Sequence, residues 1–274
     1  SSRWQAGISE AEIVYECEVE FPYTRYLAIF LTKEPEQVGG VRSARPYYIY
    51  YALEYDPIYV HCGGSPESFA KIEDLMVADI DGLYSGAFWR YYETGKEAPN
   101  NLYTSLKKIR DAANYKGYRK LGNFEGYKFN DNNIYLSELD ENTELANYIN
   151  IKYNKENTTE YIYDKEKEVY IRKKDGELHI DENNNEQIIA KNILIIEVKR
   201  EVLDNEGRLY LSTIGKGKGY YITNGEIIKV NWEKAGVKDR TIFYNEEGTE
   251  LKLNPGQTWI QIISNTSEIT IEEE

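Results

Sequence analysis

Two guanidiniums three residues apart stand behind a glycine pair in Gly39-Gly40-Val41-Arg42-Ser43-Ala44-Arg45-Pro46. A guanidinium is a planar fork of donors that fits phosphate or carboxylate bidentately, so the string reads as an anion clamp. In a turn or helix, positions 42 and 45 lie on one side, and a helix opening at Pro46 would aim its free amides there too. The competing reading pairs both arginines with carboxylates, in a chain that has 47 Asp and Glu. A second string, His61-Cys62-Gly63-Gly64-Ser65-Pro66, runs from a strand end into a helix start. Open α/β sheets place ligands outside such strand ends. Gly63 and Gly64 would let the backbone approach a ligand, and Ser65 would offer its hydroxyl and the amides that follow. His61 is the base of useful pKa nearby and the one catalytic candidate, set against an equal reading as a buried structural imidazole. A Cys62–His61 dyad is disfavoured, because neighbouring strand residues point to opposite faces. The third string is Pro99-Asn100-Asn101-Leu102-Tyr103-Thr104, with Arg90 upstream; asparagines at a helix entry usually cap it. Lys216-Gly217-Lys218-Gly219 lacks the Lys-Ser/Thr pair of a phosphate-binding loop and reads as a hairpin strand.

The elements that must position these residues change in kind along the chain. Glu12–Val19 alternates as a strand, and Arg25–Leu31 is an almost wholly apolar run, expected to be a strand buried on both faces. Helices are expected over Tyr47–Tyr55, over Glu67–Val77 with Ser65 as cap, and over Tyr103–Ala113 with Thr104 or Ser105 as cap. A short strand Ile58–His61 lies between the first two. Past about Asn132, short segments rich in Ile, Val, Tyr and Thr alternate with Lys-Asp-Gly, Asn-Glu-Gly, Asn-Gly and Glu-Glu-Gly turns. The expected fold class is α+β: an N-terminal α/β domain with a mixed sheet over 1–138, then a mostly antiparallel all-β domain over 139–274.

Composition narrows the function classes. The 274 residues are 41% hydrophobic and 29% charged, with a formal net charge of −14. That balance suits a globular chain and argues against nucleic acid or anionic lipid as direct partners. No apolar run approaches the roughly 20 residues that a membrane-spanning helix needs. With two cysteines, Cys17 and Cys62, and two histidines, neither a disulfide scaffold nor a zinc site built from Cys and His is expected. No metal or cofactor is read. A single Cys17–Cys62 bridge and two buried thiols are both open, the latter favoured.

The strings at 40–46, 61–66 and 101–104 resemble the N-terminal domain of YerB-like bacterial lipoproteins. Ala190–Ile193, Val230–Lys234 and Asn254–Ile260 resemble the domain that follows it there. The likeness runs from about Gly7 to Ile263. It implies export by a Gram-positive cell and tethering through a lipidated cysteine upstream, so membrane contact would come only through that anchor. The chain's opening, Ser1-Ser2-Arg3-Trp4, reads as a trimmed mature fragment. Where relatives commonly carry His before Asn-Leu-Tyr-Thr, this chain has Asn100. A looser likeness in layout links Arg25, Arg42 and Arg45 to the pyrophosphate clamp of LytR-CpsA-Psr phosphotransferases.

Three functions follow as expectations. The first is an extracytoplasmic, lipid-anchored protein binding an anionic, phosphate-bearing envelope ligand through Arg25, Arg42, Arg45, His61, Gly63, Gly64, Ser65 and Asn101. The second is phosphotransfer at the same place, with His61, Asp79 or Asp81 as base. The third is an interaction module that offers β edges to a surface protein.

Overall fold

The computed structural model describes residues 2–273. In chain order its main elements are β1 (Ile13–Glu18), β2 (Thr24–Ile29), β3 (Val38–Gly39), α1 (Pro46–Ala52), β4 (Tyr59–His61), α2 (Pro66–Asp74), β5 (Asp79–Asp81), β6 (Phe88–Arg90), β7 (Leu102–Thr104) and α3 (Leu106–Tyr115). Then come β8 (Tyr148–Asn154), β9 (Asn157–Asp164), β10 (Val169–Lys174), β11 (Asn192–Val198), β12 (Gly215–Thr223), β13 (Glu226–Lys234), β14 (Ile242–Tyr244), β15 (Thr258–Ser264) and β16 (Glu268–Glu272). The fold is α+β, with helices confined to the first 115 residues apart from short 3₁₀ turns.

The largest sheet runs β2-β1-β15-β11-β12-β13-β14. Its centre is parallel, because β15 pairs in parallel with both β1 and β11, while its flanks are antiparallel. The first two strands thus leave the N-terminal segment and join the sheet built by the C-terminal half. Asn224 and Gly225, both at positive φ, form the two-residue turn between β12 and β13 that the Asn-Gly pair signalled.

Period-two alternation divides the apolar residues of the central strands between two cores. Leu194, Ile196, Ile260 and Ile262 face Tyr15, Tyr47 and Tyr51, beneath α1. Ile193, Ile195 and Trp259 face Ile149, Ile151 and Tyr161 of a second sheet, ordered β10-β9-β8-β16 after the short strand Glu177–Leu178. A third, small core at Ile80, Ala87 and Ile109 supports β4 and β5.

Two expectations need correcting. β2 is an edge strand: Leu27 and Ile29 pack on one core and Tyr26 and Ala28 on the other, but with β1 on one side and no ladder on the other among the described residues, the run is only half-buried along its length. The third helix opens three residues later than expected, with Ser105 Oγ accepting from Lys108 N, since Leu102–Thr104 is drawn into a ladder with β6 and β3. Cys17 and Cys62 are both free, the first buried and the second half-buried.

Between the two large sheets lies an ionic cluster. Glu16 takes Lys174 Nζ at 2.6 Å and the Arg172 guanidinium, all three essentially inaccessible to water. Burial alone would raise the Glu16 carboxyl, but the two cations reverse that and hold it down to about 2, against an ordinary 4.5. Because the folded value lies below the unfolded one, this carboxylate stabilises the fold above pH 4.5, and the contribution disappears as pH falls through 2. Acid titration followed by circular dichroism is therefore expected to show stability falling steeply between pH 4.5 and 2, by about 3 kcal/mol from this group. A flat stability across that window would contradict the assignment.

Candidate functional site

Backbone hydrogen bonds stitch the three sequence strings into one place. Cys62 N donates to Arg42 O at 3.0 Å, Ala44 N to Gly63 O at 2.9 Å, and Val41 N to Leu102 O at 2.8 Å. Gly39 and Gly40 are required by that convergence. A Cβ on Gly39 would overlap the Tyr103 ring, and one on Gly40 would overlap the Asn100 carbonyl. Arg25 reaches the same place from β2, donating from Nη1 to Ser43 O at 2.9 Å.

The arginines differ in how far their charge is matched. Arg45 is neutralised: its Nε and Nη2 both lie 2.7 Å from Glu20 Oε1. Arg25 shares the same carboxylate at 3.7 Å. Arg42 donates to the neutral Asn100 Oδ1, and among the described residues it has no carboxylate partner. Two of the three guanidiniums therefore share one carboxylate, Glu20, and the third is held by an amide. Burial, and then the positive charge of Arg45, pull both Arg25 and Arg42 below the ordinary arginine value, although each stays charged at any physiological pH. Tyr23, 64% exposed, stands close enough to Arg42 for its phenol to act on it electrostatically.

The second string serves the fold more than an open surface. His61 is buried, with Nδ1 2.8 Å from Gly63 O and Nε2 3.2 Å from Asp79 Oδ2, and its ring stacks on Tyr59. Both nitrogens face acceptors inside the protein. Asp79, the alternative base, is held below its ordinary value by the His61 hydrogen bond and by Lys116, which together outweigh burial. Asp81 accepts from Gly63 N and Leu83 N. Gly63 sits at φ +68°, which glycine adopts without strain, and Gly64 lies against Ala44 and Ser68. Ser65 caps α2 by accepting from Ser68 N at 3.2 Å.

A cavity of about 190 Å³ opens beside Arg45, Ser65 and Pro66, with Leu203, Asp204 and Arg208 on its far wall. Its cations are compensated, Arg45 by Glu20 and Arg208 by Asp204 at 2.6 Å. Asn101 is fully buried, accepting from Arg90 Nη1 at 3.1 Å, and among the described residues its Nδ2 has no partner. The structure thus groups Arg25, Arg42 and Arg45 on one side and places Asn101 on Arg90. His61 is set into the protein beneath. Glu20, Asn100 and Arg90 escaped the sequence reading as members of the site. Arg90 and Asn100 had a signal there, as members of the third string and its upstream flank, whereas Glu20 had none.

Comparison with known proteins places this geometry in a family. Residues 1–119 match the model described as "Protein of unknown function (DUF3048) N-terminal domain", and residues 149–260 match its C-terminal domain. The chain belongs to the DUF3048 family. It is 33% identical, over 98% of its length and 80% of the relative's, to "Putative lipoprotein YerB" of Bacillus subtilis. A crystal structure of the YerB protein from Bacillus subtilis superposes with a TM-score of 0.85 at 32% identity, covering 98% of this chain and 89% of that one. The YerB-like resemblance and the α+β architecture, an N-terminal α/β part followed by a mostly antiparallel β part, are those of the family. Among the described residues no helix is long and apolar enough to cross a membrane.

Proposed function

We propose that this DUF3048 protein is a surface-displayed, lipid-tethered binding protein that grips a phosphate-bearing envelope polymer through Arg42, at the centre of the Arg25–Arg42–Arg45 group. What supports the reading is charge bookkeeping at one point: three guanidiniums face a single carboxylate, and the partner of Arg42 is an amide. An uncompensated guanidinium on an acidic molecule focuses a local positive field where the net charge would otherwise repel anions. Exposed Tyr23 beside it offers a ring face on which a sugar can lie. The name of the Bacillus subtilis relative supports a lipid tether.

Calorimetric titration with a glycerol-phosphate polymer tests the reading. Arg42→Ala is expected to weaken binding by about tenfold or more, the worth of one charge-assisted hydrogen bond. Glu20→Gln is expected to tighten it, because Arg45 and Arg25 are then released toward the ligand. Binding should also weaken as salt is raised. Equal affinity of wild type and Arg42→Ala would discard the site.

A further inference from the structure

The three-stranded ladder β3-β7-β6 carries arginines on both flanks of one end. Register sets Arg90 opposite Leu102 on one side of β7, while Val41 N bonds Leu102 O on the other and delivers Arg42. The two residues that lead into β7 receive them: Asn100 Oδ1 accepts from Arg42 Nη1, and Asn101 Oδ1 accepts from Arg90 Nη1. Both guanidiniums are therefore oriented by neutral amides, and among the described residues neither has a carboxylate partner. Cys62 lies beside them. Its amide is bonded to Arg42 O, and its Cβ is packed near Gly82 with Leu102 and Phe88. Asp81, the carboxylate that acts on Cys62, is occupied by the amides of Gly63 and Leu83. Burial and Asp81 push the Cys62 thiol up, and Arg90 and Arg42 both oppose that rise. Asn101, which holds Arg90, is itself inaccessible to water, and among the described residues its Nδ2 has no acceptor.

We infer that Arg90 and Arg42 form a two-guanidinium seat beside Cys62 for a dianionic phosphoryl group, a terminal phosphomonoester or a pyrophosphate, in preference to the singly charged diester of a polymer backbone. This deepens the anion-binding reading and rests on it for Arg42, whereas Arg90 is new to the site. Two forked donors can take the several oxygens of a dianion, whereas a diester presents only two free ones.

Cys62 is a built-in reporter of this seat, and Cys17 is too buried to compete. In the test, the Cys62 thiolate attacks the methylene carbon of iodoacetate or of iodoacetamide. A carbon–sulfur bond forms, iodide leaves with its electron pair, and the thiol proton goes to solvent. Peptide mass spectrometry locates the adduct. Relative to the same thiol in unfolded protein, the ratio of iodoacetate to iodoacetamide rates at Cys62 is expected to rise by about tenfold, through the local field. Inorganic pyrophosphate should protect Cys62 from both reagents. Arg90→Gln should abolish the excess ratio and the protection, and Arg90→Lys should restore much of the ratio. Arg90 is exposed and, among the described residues, its one side-chain bond is to Asn101, so these variants are expected to fold, with circular dichroism as the control. If Arg90→Gln leaves the ratio and the protection unchanged while Arg42→Ala still weakens polymer binding, the seat is overturned and the broader reading stands. If neither arginine matters in either assay, both fall.

Discussion

Glu16→Leu is expected to lower the unfolding free energy by about 3–5 kcal/mol, the cost of leaving a buried charge without its partner. Glu16 lies on β1, facing the second sheet, and is the carboxylate bonded to both Arg172 and Lys174 of β10. Among the described residues the other hydrogen-bond partners of those two cations are neutral: Thr159, Asn157, the Tyr161 hydroxyl, and His179, whose imidazole is driven well below its ordinary value by burial and by Arg172. Removing the carboxylate strands two positive charges between the sheets, where water cannot reach them. Urea unfolding should show the loss as a lower midpoint, and the acid-dependent fall between pH 4.5 and 2 should flatten in the same variant. Adding Lys174→Met should recover a substantial part of the loss, because the surplus of buried positive charge then falls by one. A Glu16→Leu protein as stable as wild type would mean that the cluster is open to water.

Trp259→Ala is the other large expected loss, about 3–5 kcal/mol. Trp259 is wholly buried on the central strand β15, and the Arg172 guanidinium lies 4.2 Å from the centre of its ring. Truncation opens a cavity between the sheets and also removes the ring face that helps the protein hold a buried cation. Its indole Nε1 donates to Gln257 Oε1 at 3.0 Å, and the Gln257 amide in turn donates to Ala11 O at 2.6 Å, so the ring braces the entry of β1 as well. Trp259→Phe keeps an aromatic face and should lose clearly less, which separates ring stacking from the indole hydrogen bond. Denaturant titrations of both variants beside wild type measure the difference, and equal losses for Phe and Ala would show that the ring face contributes nothing.

Much of the molecule was legible from local pattern. Alternation and turn pairs announced the strands of the C-terminal half, because a β-strand with a buried face repeats every two residues whatever surrounds it. Ser65-Pro66 announced α2 for an equally local reason: a side-chain oxygen meets an amide three residues on. The glycine pairs were visible too, but the contacts they make within the protein were not. Gly39 and Gly40 make room for Tyr103 and Asn100, and Gly63 and Gly64 serve contacts within the protein, whereas the sequence suggested a ligand at the second pair. His61 was left between a catalytic and a structural imidazole, and its two acceptors, Gly63 O and Asp79, occupy both nitrogens.

The charge state of each arginine had no local signature. Glu20 lies 25 residues before Arg45 and Asn100 lies 58 after Arg42, so which guanidinium is neutralised and which is left with an amide depends on loops meeting in space. The same holds for Glu16, 156 residues from Arg172. Residue types and short-range spacing by themselves determined the elements, the apolar faces and the presence of an arginine-rich loop, since those follow from backbone geometry over a few residues. Tertiary structure alone decided that, among the described residues, Arg42 and Arg90 are held by amides and not by carboxylates, because electrostatic pairing follows distance through space and not along the chain.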